Sequence, residues 1–248
     1  MRKKTDNGTQ RPFPAGTGNL RVIALDCDGV LFDSREANVH FYTHIMKIVG
    51  RPPVRADQHE YIHMHPVRES LIYLTGGEGE DFARAFKYFE TIDFGPFNGY
   101  LRREPGLVSF LRLAQKHFRT ALATNRTVST LELLAQYNLR KFFDLVVSAS
   151  DVRNPKPNPE IMDKILEAFD VLPEHVLYIG DSRVDEEFAL ATGVHFVSYK
   201  NPSLRAELHI THFRELNCLF PECADTGLSK SENRARQRPR QVVRKKTD

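Results

Sequence analysis

Short apolar runs alternate with longer amphipathic stretches along most of the chain. The four apolar residues at 22–25 are typical of a strand that is covered on both faces, as in a parallel sheet. Further strands are predicted at 119–123, 143–148, 175–179 and 195–199, with helices at 105–117, 128–137, 158–169 and 185–192. This alternation predicts an α/β fold in which a parallel sheet carries helices on both faces.

The alternation is interrupted after the first strand. Between residues 35 and 94 apolar residues recur at helical spacing, and a Gly-Pro pair at 95–96 then ends this stretch. We expect an inserted α-helical cap of three or four helices there. The predicted organisation is a flexible leader (1–19), a core (20–34 and 95–220), the cap (35–94) and a tail (221–248), with a short helix near 213–216.

The composition is that of an ordinary globular protein, with 41% hydrophobic and 27% charged residues among 248. No run approaches the roughly 18 consecutive apolar residues of a membrane span, and the first residues lack the apolar core of a signal peptide. We therefore expect a cytoplasmic protein with no membrane partner. The spacing of Cys27, Cys218 and Cys223 predicts reduced thiols rather than disulfides or a zinc site.

Basic residues are concentrated at the C-terminus. Between residues 228 and 248, eight basic residues accompany two acidic ones, whereas the whole chain has a formal net charge of +3. This composition predicts a solvated, disordered tail. The alternative is sequence-independent attraction of the tail to nucleic acid or to another anionic surface. No oligomeric state is predicted.

Two aspartates directly follow the first predicted strand. Asp26 and Asp28 are two residues apart, which places both side chains on the same side of an extended chain. Ligands of parallel sheets bind beyond the carboxyl ends of the strands, so both carboxylates are candidates for chemistry. Gly29 then permits a sharp turn and a close approach to an anion. The alternative is an Asp-Gly turn that merely ends the strand.

Three further polar segments have a related placement. Thr124 and Asn125 follow one predicted strand, Asp181 follows another with Asp185 four residues later, and Lys156 lies in a proline-rich loop. Each has a structural alternative. Thr124 and Asn125 could cap a helix, Lys156 could be a solvated loop residue, and Asp185 could be an acidic residue favoured in the first turn of a helix.

Taken in order, these four segments resemble the motifs of the haloacid dehalogenase superfamily, from residue 20 to about residue 200. The chain is similar to the phosphoglycolate-phosphatase-like hydrolases of this superfamily that carry a helical cap. The resemblance implies a Rossmann-like core, Mg²⁺ as cofactor and a phosphoryl group carried on an aspartate. The expected activity is phosphatase action on a small phosphorylated metabolite, such as a phosphoglycolate-like or sugar-phosphate ester.

The chemistry of phosphate-ester hydrolysis distributes roles among these residues. Asp26 is the predicted nucleophile, because a carboxylate can take the phosphoryl group as an acyl phosphate and divide one hard step into two. Asp28 is the predicted general acid of the first step and general base of the second. Thr124, Asn125 and Lys156 are predicted to hold the phosphoryl oxygens.

Hard oxygen ligands suit Mg²⁺ better than zinc. The expected metal ligands are Asp26, Asp181, Asp185 and Asp28, the last through its backbone carbonyl, as the resemblance implies. Asp185 could instead order the waters of the metal or pair with Lys156. Two candidate substrate contacts complete the predicted site. They are Gly29 and Arg68, the latter near the start of a predicted helix of the cap, from which it could reach a second anion of the substrate.

Single residues bear on several alternative functions. Asp28 argues against haloacid dehalogenation, and Gly180 and Asn38 stand where sugar-phosphate mutases that resemble this chain carry an acidic residue and a histidine. A phosphotransferase or mutase is nevertheless the alternative enzyme, and a non-catalytic binding protein that uses the basic tail is the alternative of another class. The cap histidines are interpreted as surface or interface residues, with a zinc site as the alternative; they are His40, His44, His59, His63 and His65.

Overall fold

The computed structural model describes residues 19–126 and 130–220, so the predicted tail and all but the last residue of the predicted leader lie outside the described residues. The strands and α-helices are, in chain order, β1 (Val22–Leu25), β2 (Phe32–Asp33), α1 (Arg35–Ile48), α2 (His59–Met64), α3 (Val67–Thr75), α4 (Glu80–Phe89), β3 (Arg102–Arg103), α5 (Leu107–His117), β4 (Arg119–Thr124), α6 (Thr130–Gln136), β5 (Leu145–Ser148), α7 (Glu160–Phe169), β6 (Val176–Gly180), α8 (Arg183–Thr192), β7 (His195–Tyr199) and β8 (Leu208–Ile210). A 3₁₀ helix at Phe213–Leu219 follows β8 and includes the short helix predicted near 213–216.

Six strands form one parallel sheet in the order β5-β4-β1-β6-β7-β8. The first strand, β1, is central, and its Leu25 is level with Leu122 of β4 and with Ile179 of β6. All four residues of β1 are buried, which explains its uninterrupted apolar sequence. The register brings the residues that follow β1, β4 and β6 to one edge of the sheet.

Helices cover both faces of this sheet. Ile23 and Leu25 belong to one apolar cluster with residues of α5 and α6, whereas Val22 and Ala24 belong to a second cluster with residues of α7 and α8. Because side chains alternate across a strand, one short strand contributes to both clusters. The predicted α/β fold with a parallel Rossmann-like sheet is confirmed.

Several element ends differ from the prediction for local reasons. Helix α8 begins two residues early, at Arg183, because the hydroxyl of Ser182 accepts a hydrogen bond from the backbone of Asp185 and caps the helix. Helix α5 begins after Gly106, whose φ of +81° is not helical. Strands β2, β3 and β8 have only two or three residues, too few for an alternating pattern to reveal them.

The helical segment, residues 35–94, contains α1 to α4 and has an apolar cluster of its own. Phe41 and Ile45 of α1, Leu71 of α3 and Ala85 of α4 are buried in it. An independent apolar cluster is what a separate folding unit requires, and we propose on this ground that the segment is a cap domain. None of the helices in the described part of the chain combines the length and apolar character needed to cross a membrane.

Two short connections hold the helical segment over the carboxyl edge of the sheet. Strands β2 and β3 pair antiparallel, with Phe32 opposite Arg103, at the points where the chain enters and leaves the segment. The Tyr137 hydroxyl lies 3.0 Å from the carbonyl oxygen of Asn98 and 2.8 Å from that of Leu101. The return path of the chain is thereby fixed to the core beside the residues that follow β1 and β4.

Candidate active site

Asp26 is the first residue after β1, and its side chain is buried at the carboxyl edge of the sheet. Its backbone N–H donates to the carbonyl of Ile179 at 2.9 Å, which extends the pairing of β1 with β6 by one residue. Asp28 follows two residues later with a side chain that is 41% exposed. The two predicted carboxylates therefore meet at the end of the central strand, one in the interior and one facing an open cavity.

Gly29 forms the turn that follows these carboxylates. Its φ of +78° lies in the left-handed region, which side chains disfavour. A Cβ atom at this position would lie 1.8 Å from Oδ2 of Asp181. Its N–H donates to the carbonyl of Phe32 at 2.8 Å. The structure therefore places Gly29 against Asp181, with its amide already used, rather than leaving that amide free for a substrate.

Lys156 places a buried positive charge between two carboxylates. Its Nζ lies 2.8 Å from Oδ1 of Asp26 and 2.8 Å from Oδ1 of Asp185, and it donates to the hydroxyl of Tyr178 at 2.8 Å. Burial alone would lower the pKa of Lys156, but the two carboxylates outweigh it and raise the pKa. The two carboxylates therefore favour the charged ammonium, and Lys156 is buried rather than a solvated loop residue.

Asn125 holds the loop that carries Lys156. Its side-chain amide donates to the carbonyl of Lys156 at 2.9 Å and accepts from the backbone N–H of Lys156 at 2.9 Å. These two hydrogen bonds resemble those between paired residues of neighbouring strands, and they fix the backbone of Lys156. Thr124 is buried beside it, and its hydroxyl accepts from the backbone N–H of Arg126 at 3.1 Å. Both residues line the cavity that contains Asp26.

Asp185 has a partner for each of its oxygens. Its Oδ1 accepts from Lys156 and Tyr178, and its Oδ2 accepts from the hydroxyl of Ser182 at 2.6 Å and from the backbone N–H groups of Asp181 and Ser182. Burial would raise the pKa of Asp185, but Lys156 and these hydrogen bonds keep it below its ordinary value. Asp185 is therefore an ionised carboxylate that positions Lys156 and the backbone of the loop after β6.

Three carboxylates lie close enough to share a cation. Oxygens of Asp26, Asp181 and Asp185 are all within 4.8 Å of one another, and no other such group of potential ligands exists among the described residues. Burial raises the pKa of Asp26 to about 7 despite the opposing charge of Lys156. Burial and the charges of Asp185 and Asp26 raise the pKa of Asp181 well above its usual range.

The surroundings of Asp181 favour a hard cation at this position. In the described part of the chain its carboxylate accepts no hydrogen bond, although its backbone carbonyl accepts from the side chain of Asn201 at 2.8 Å. The ammonium of Lys156 is paired with Asp26 and Asp185, so Asp181 is the carboxylate of the three that has no ion-pair partner among the described residues. An all-oxygen donor set with excess negative charge fits Mg²⁺.

Arg126 is a site residue that the sequence analysis did not single out. Its Nε donates to Oδ2 of Asp28 at 2.8 Å, and its Nη1 donates to Oδ1 of Asn98 at 3.1 Å. The guanidinium is only 14% exposed. Arg126 therefore holds the Asp28 carboxylate and links it to the chain that returns from the helical segment. Its position directly after the Thr124-Asn125 pair was the available signal.

The cavity of this site is lined by His63 and His65 but not by Arg68, His40, His44 or His59. Arg68 is exposed, pairs with Glu78 at 2.9 Å and lies over the ring of Phe82, so it does not reach the cavity. The histidines of the helical segment are dispersed among different partners: His40 stacks on Tyr100, His44 contacts the Tyr88 hydroxyl, His63 contacts Asn38 and His65 contacts the Tyr61 carbonyl. No zinc-binding cluster of these histidines forms among the described residues.

A cavity of about 540 Å³ joins the carboxyl edge of the sheet to the helical segment. Its floor contains Asp26, Asp28, Thr124, Asn125, Arg126 and Lys156, and its opposite wall contains Phe41, Ile62, Phe89, Phe94 and Phe97. The floor can therefore bind a charged group, and the opposite wall can contact the part of the ligand that is attached to that group.

Comparison with known proteins agrees with this fold. The profile of the haloacid dehalogenase-like hydrolase family matches residues 23–199. The chain belongs to this family of hydrolases. The match begins in β1 and ends in β7, so it includes every residue of the cavity floor.

Individual relatives carry more specific names. Over 179 residues the chain is 32% identical to the phosphorylated carbohydrates phosphatase of Thermotoga maritima. The aligned segment covers 71% of this chain and 82% of that protein. It is 29% identical over 216 residues to the phosphoglycolate phosphatase of Rhodobacter capsulatus, with 80% and 94% covered. A HAD-superfamily hydrolase structure from Geobacter sulfurreducens has a TM-score of 0.68 and 36% identity, covering 80% of this chain and 95% of that one.

Proposed function

We propose that the protein is a Mg²⁺-dependent phosphatase that hydrolyses a small phosphorylated metabolite through a phosphorylated Asp26. One observation carries the proposal: a buried carboxylate at the end of the central strand is held by a buried ammonium, with a second carboxylate two residues away. Family membership and the names of the phosphatase relatives support the reaction class.

The proposed reaction has two steps. An oxygen of Asp26 attacks phosphorus while the ester P–O bond breaks, and Asp28 gives its proton to the departing alcohol oxygen. Asp28 then takes a proton from water, whose oxygen attacks phosphorus as the bond to Asp26 breaks. Inorganic phosphate leaves, and both residues return to their starting states, Asp26 as a free carboxylate and Asp28 with the proton that it has regained from water.

The remaining residues of the floor have supporting roles in this proposal. Lys156 neutralises charge beside Asp26 and faces the phosphoryl oxygens, and Thr124 and Asn125 line the space those oxygens would occupy. Arg126 keeps Asp28 pointed at the position of the ester oxygen. Because Arg126 is paired with Asp28, it restricts the rotamers of Asp28, and this favours proton transfer in a defined geometry.

Carboxylates of Asp26 and Asp181, with the backbone carbonyl of Asp28 expected from the family resemblance, would hold Mg²⁺. When bound, the ion neutralises part of the charge that a phosphate dianion meets in this site. Asp185, whose oxygens are fully used by protein donors, would act on the metal site through the backbone of Asp181 and Ser182. Its predicted role as a direct ligand is therefore replaced in this proposal by a positioning role.

The test is Asp26→Asn, with Asp163→Asn on the exposed face of α7 as matched control. Phosphate release by Asp26→Asn should fall by about a thousandfold or more, a loss typical of removing a nucleophile, and the control should stay within twofold. Quenching wild-type turnover with hydroxylamine should leave a hydroxamate at residue 26, detectable by peptide mass. Residual activity above about a tenth of wild type would contradict the nucleophile assignment.

The same assay separates hydrolysis from group transfer. A phosphatase releases inorganic phosphate in the presence of water alone, whereas a phosphotransferase or mutase requires a second acceptor. Chelation by EDTA should abolish release and added Mg²⁺ should restore it. Full turnover in EDTA would instead indicate a hydrolase of this family that works without a metal.

A further inference from the structure

The cavity wall opposite the carboxylates is unusually apolar for a site that binds a charged ester. We define the aromatic wall as Phe41, Phe89, Phe94 and Phe97, all of which line the cavity. Phe41 is buried, and Phe89, Phe94 and Phe97 are partly exposed toward the cavity space. Ile62 adds a further apolar side chain to the same wall. This wall therefore offers a hydrocarbon surface to a group attached to the phosphoryl group.

The aromatic wall is a packed unit rather than a chance grouping. The Phe41 and Phe94 rings are stacked with centroids 5.2 Å apart, and the Phe97 ring meets Phe41 edge-on at 5.6 Å. Phe89 contacts both Phe41 and Phe94 at 6.2 Å. Aromatic rings that support one another in this way keep a fixed surface for a ligand.

In the described part of the chain, every lysine and arginine that lines the cavity is paired with an acidic residue. These side chains are Lys156, which is bound by Asp26 and Asp185, and Arg126, which is bound by Asp28. Two histidines, His63 and His65, also line the cavity. Burial, with the nearby charge of Arg35, lowers the pKa of His63 and so disfavours a positive charge on its ring, and Nδ1 of His65 lies 2.9 Å from the carbonyl oxygen of Tyr61.

From this geometry we infer that the preferred substrate is a phosphate monoester whose alcohol part is uncharged and apolar where it meets the aromatic wall. This inference rests on the proposed phosphatase function and adds the substrate class to it. A carboxylate placed against the wall would lose its hydration without gaining a partner. The polar side chains that line the cavity, among them Asn38, His63 and His65, are not part of the aromatic wall. A polyhydroxylated chain would therefore leave without hydrogen bonds those hydroxyl groups that lie against the wall.

The test compares esters that differ in one property. Ethyl, butyl and hexyl phosphate have leaving alcohols of similar acidity, so differences in kcat/KM report on contact with the wall. A fully buried methylene contributes about fourfold, and partial burial of four predicts a rise of at least about tenfold from ethyl to hexyl phosphate. Phosphoglycolate differs from ethyl phosphate only in its carboxylate and should be about tenfold worse. Sorbitol 6-phosphate should be worse than hexyl phosphate by at least as much.

Variants connect this preference to the wall. Phe89→Ala should lower kcat/KM for hexyl phosphate about fivefold more than for ethyl phosphate. Phe94→Leu keeps most of the side-chain volume, so the difference between the two esters should be smaller for this variant. Phe82→Ala is the matched control, because Phe82 is on the same helix as Phe89 and does not line the cavity. This control should leave the ratio of hexyl to ethyl phosphate unchanged.

Two kinds of failure are distinguishable. Preference for phosphoglycolate or sorbitol 6-phosphate over the alkyl esters would overturn the inference while leaving the phosphatase proposal intact. If no ester is hydrolysed, the phosphatase proposal fails and calorimetric binding of phosphonates decides the inference. Heptylphosphonate should then bind at least about tenfold more tightly than propylphosphonate, and 3-phosphonopropanoate should bind more weakly than propylphosphonate. The reverse order would overturn the inference.

Discussion

Replacing Asp185 by asparagine tests whether the buried ion pair with Lys156 organises the site. An amide has one acceptor oxygen, whereas both oxygens of Asp185 accept from protein donors. The backbone N–H groups of Asp181 and Ser182 cannot turn away, so the amide oxygen must face them and its NH₂ group must face the ammonium. Lys156 then keeps Asp26 as its only anionic partner.

The expected loss follows from this arrangement. Removing one partner of a buried ion pair typically costs about 3–5 kcal/mol, because the other charge is left uncompensated. Asp26 retains part of the compensation, so we expect Asp185→Asn to lose about 3 kcal/mol of unfolding free energy. The matched control is Glu187→Gln, the same chemical change on the exposed side of α8, which should shift stability by less than about 0.5 kcal/mol.

Urea unfolding followed by circular dichroism, with EDTA present in every sample, measures both variants without a contribution from bound metal. The parallel activity assay in Mg²⁺ should show a loss of at least about tenfold for Asp185→Asn, since Lys156 is no longer held in position. A stability within about 1 kcal/mol of wild type would refute the argument that this carboxylate compensates a buried charge.

Further predictions concern the turn, the acid and the metal. Gly29→Ala should abolish activity, because its Cβ would collide with Asp181. The control is Gly50→Ala, since Gly50 also has a positive φ, +77°, but has open space around it. This control should change only the free energy of unfolding, by about 1 kcal/mol in urea unfolding. Arg126→Met should lower kcat more for ethyl phosphate than for p-nitrophenyl phosphate, whose leaving group needs no acid. The exposed control Arg183→Met should leave the ratio of the two kcat values unchanged. Equal losses for both esters would show that Arg126 does not position Asp28. Mg²⁺ should raise the melting temperature of wild type more than that of Asp181→Asn, and an equal shift would place the ion elsewhere.

The sequence was most informative where chemistry directly follows a buried strand. Asp26, Thr124 and Asp181 could be predicted to meet because the carboxyl ends of parallel strands share an edge, and the register of β1 with β4 and β6 brings them together. Lys156 has no such strand before it. Its inclusion rested on the positive charge that the other three segments require, and the structure shows its proximity to Asp26 through a loop held by Asn125.

The contacts that the sequence did not reveal are those between residues far apart in the chain. Arg126 reaches Asp28 and Asn98, which lie 98 and 28 positions earlier, and no periodicity encodes such pairs. Tyr178 lies inside an apolar run and reads as a core residue, yet its hydroxyl joins the bonds around Lys156. The cavity wall depends on how four phenylalanines pack together, which local pattern does not determine.

The distance along the chain between Asp26 and Lys156, 130 residues, has a consequence for the order in which the protein can become competent during synthesis. The central strand leaves the ribosome first but has no neighbour until β4 is made, and its second neighbour, β6, follows only after residue 175. A nascent chain that stops before residue 156 has Asp26 but lacks the ammonium that is paired with it. Catalytic competence therefore emerges as a late event of translation, and until then the apolar edge of β1 is exposed to wrong pairing.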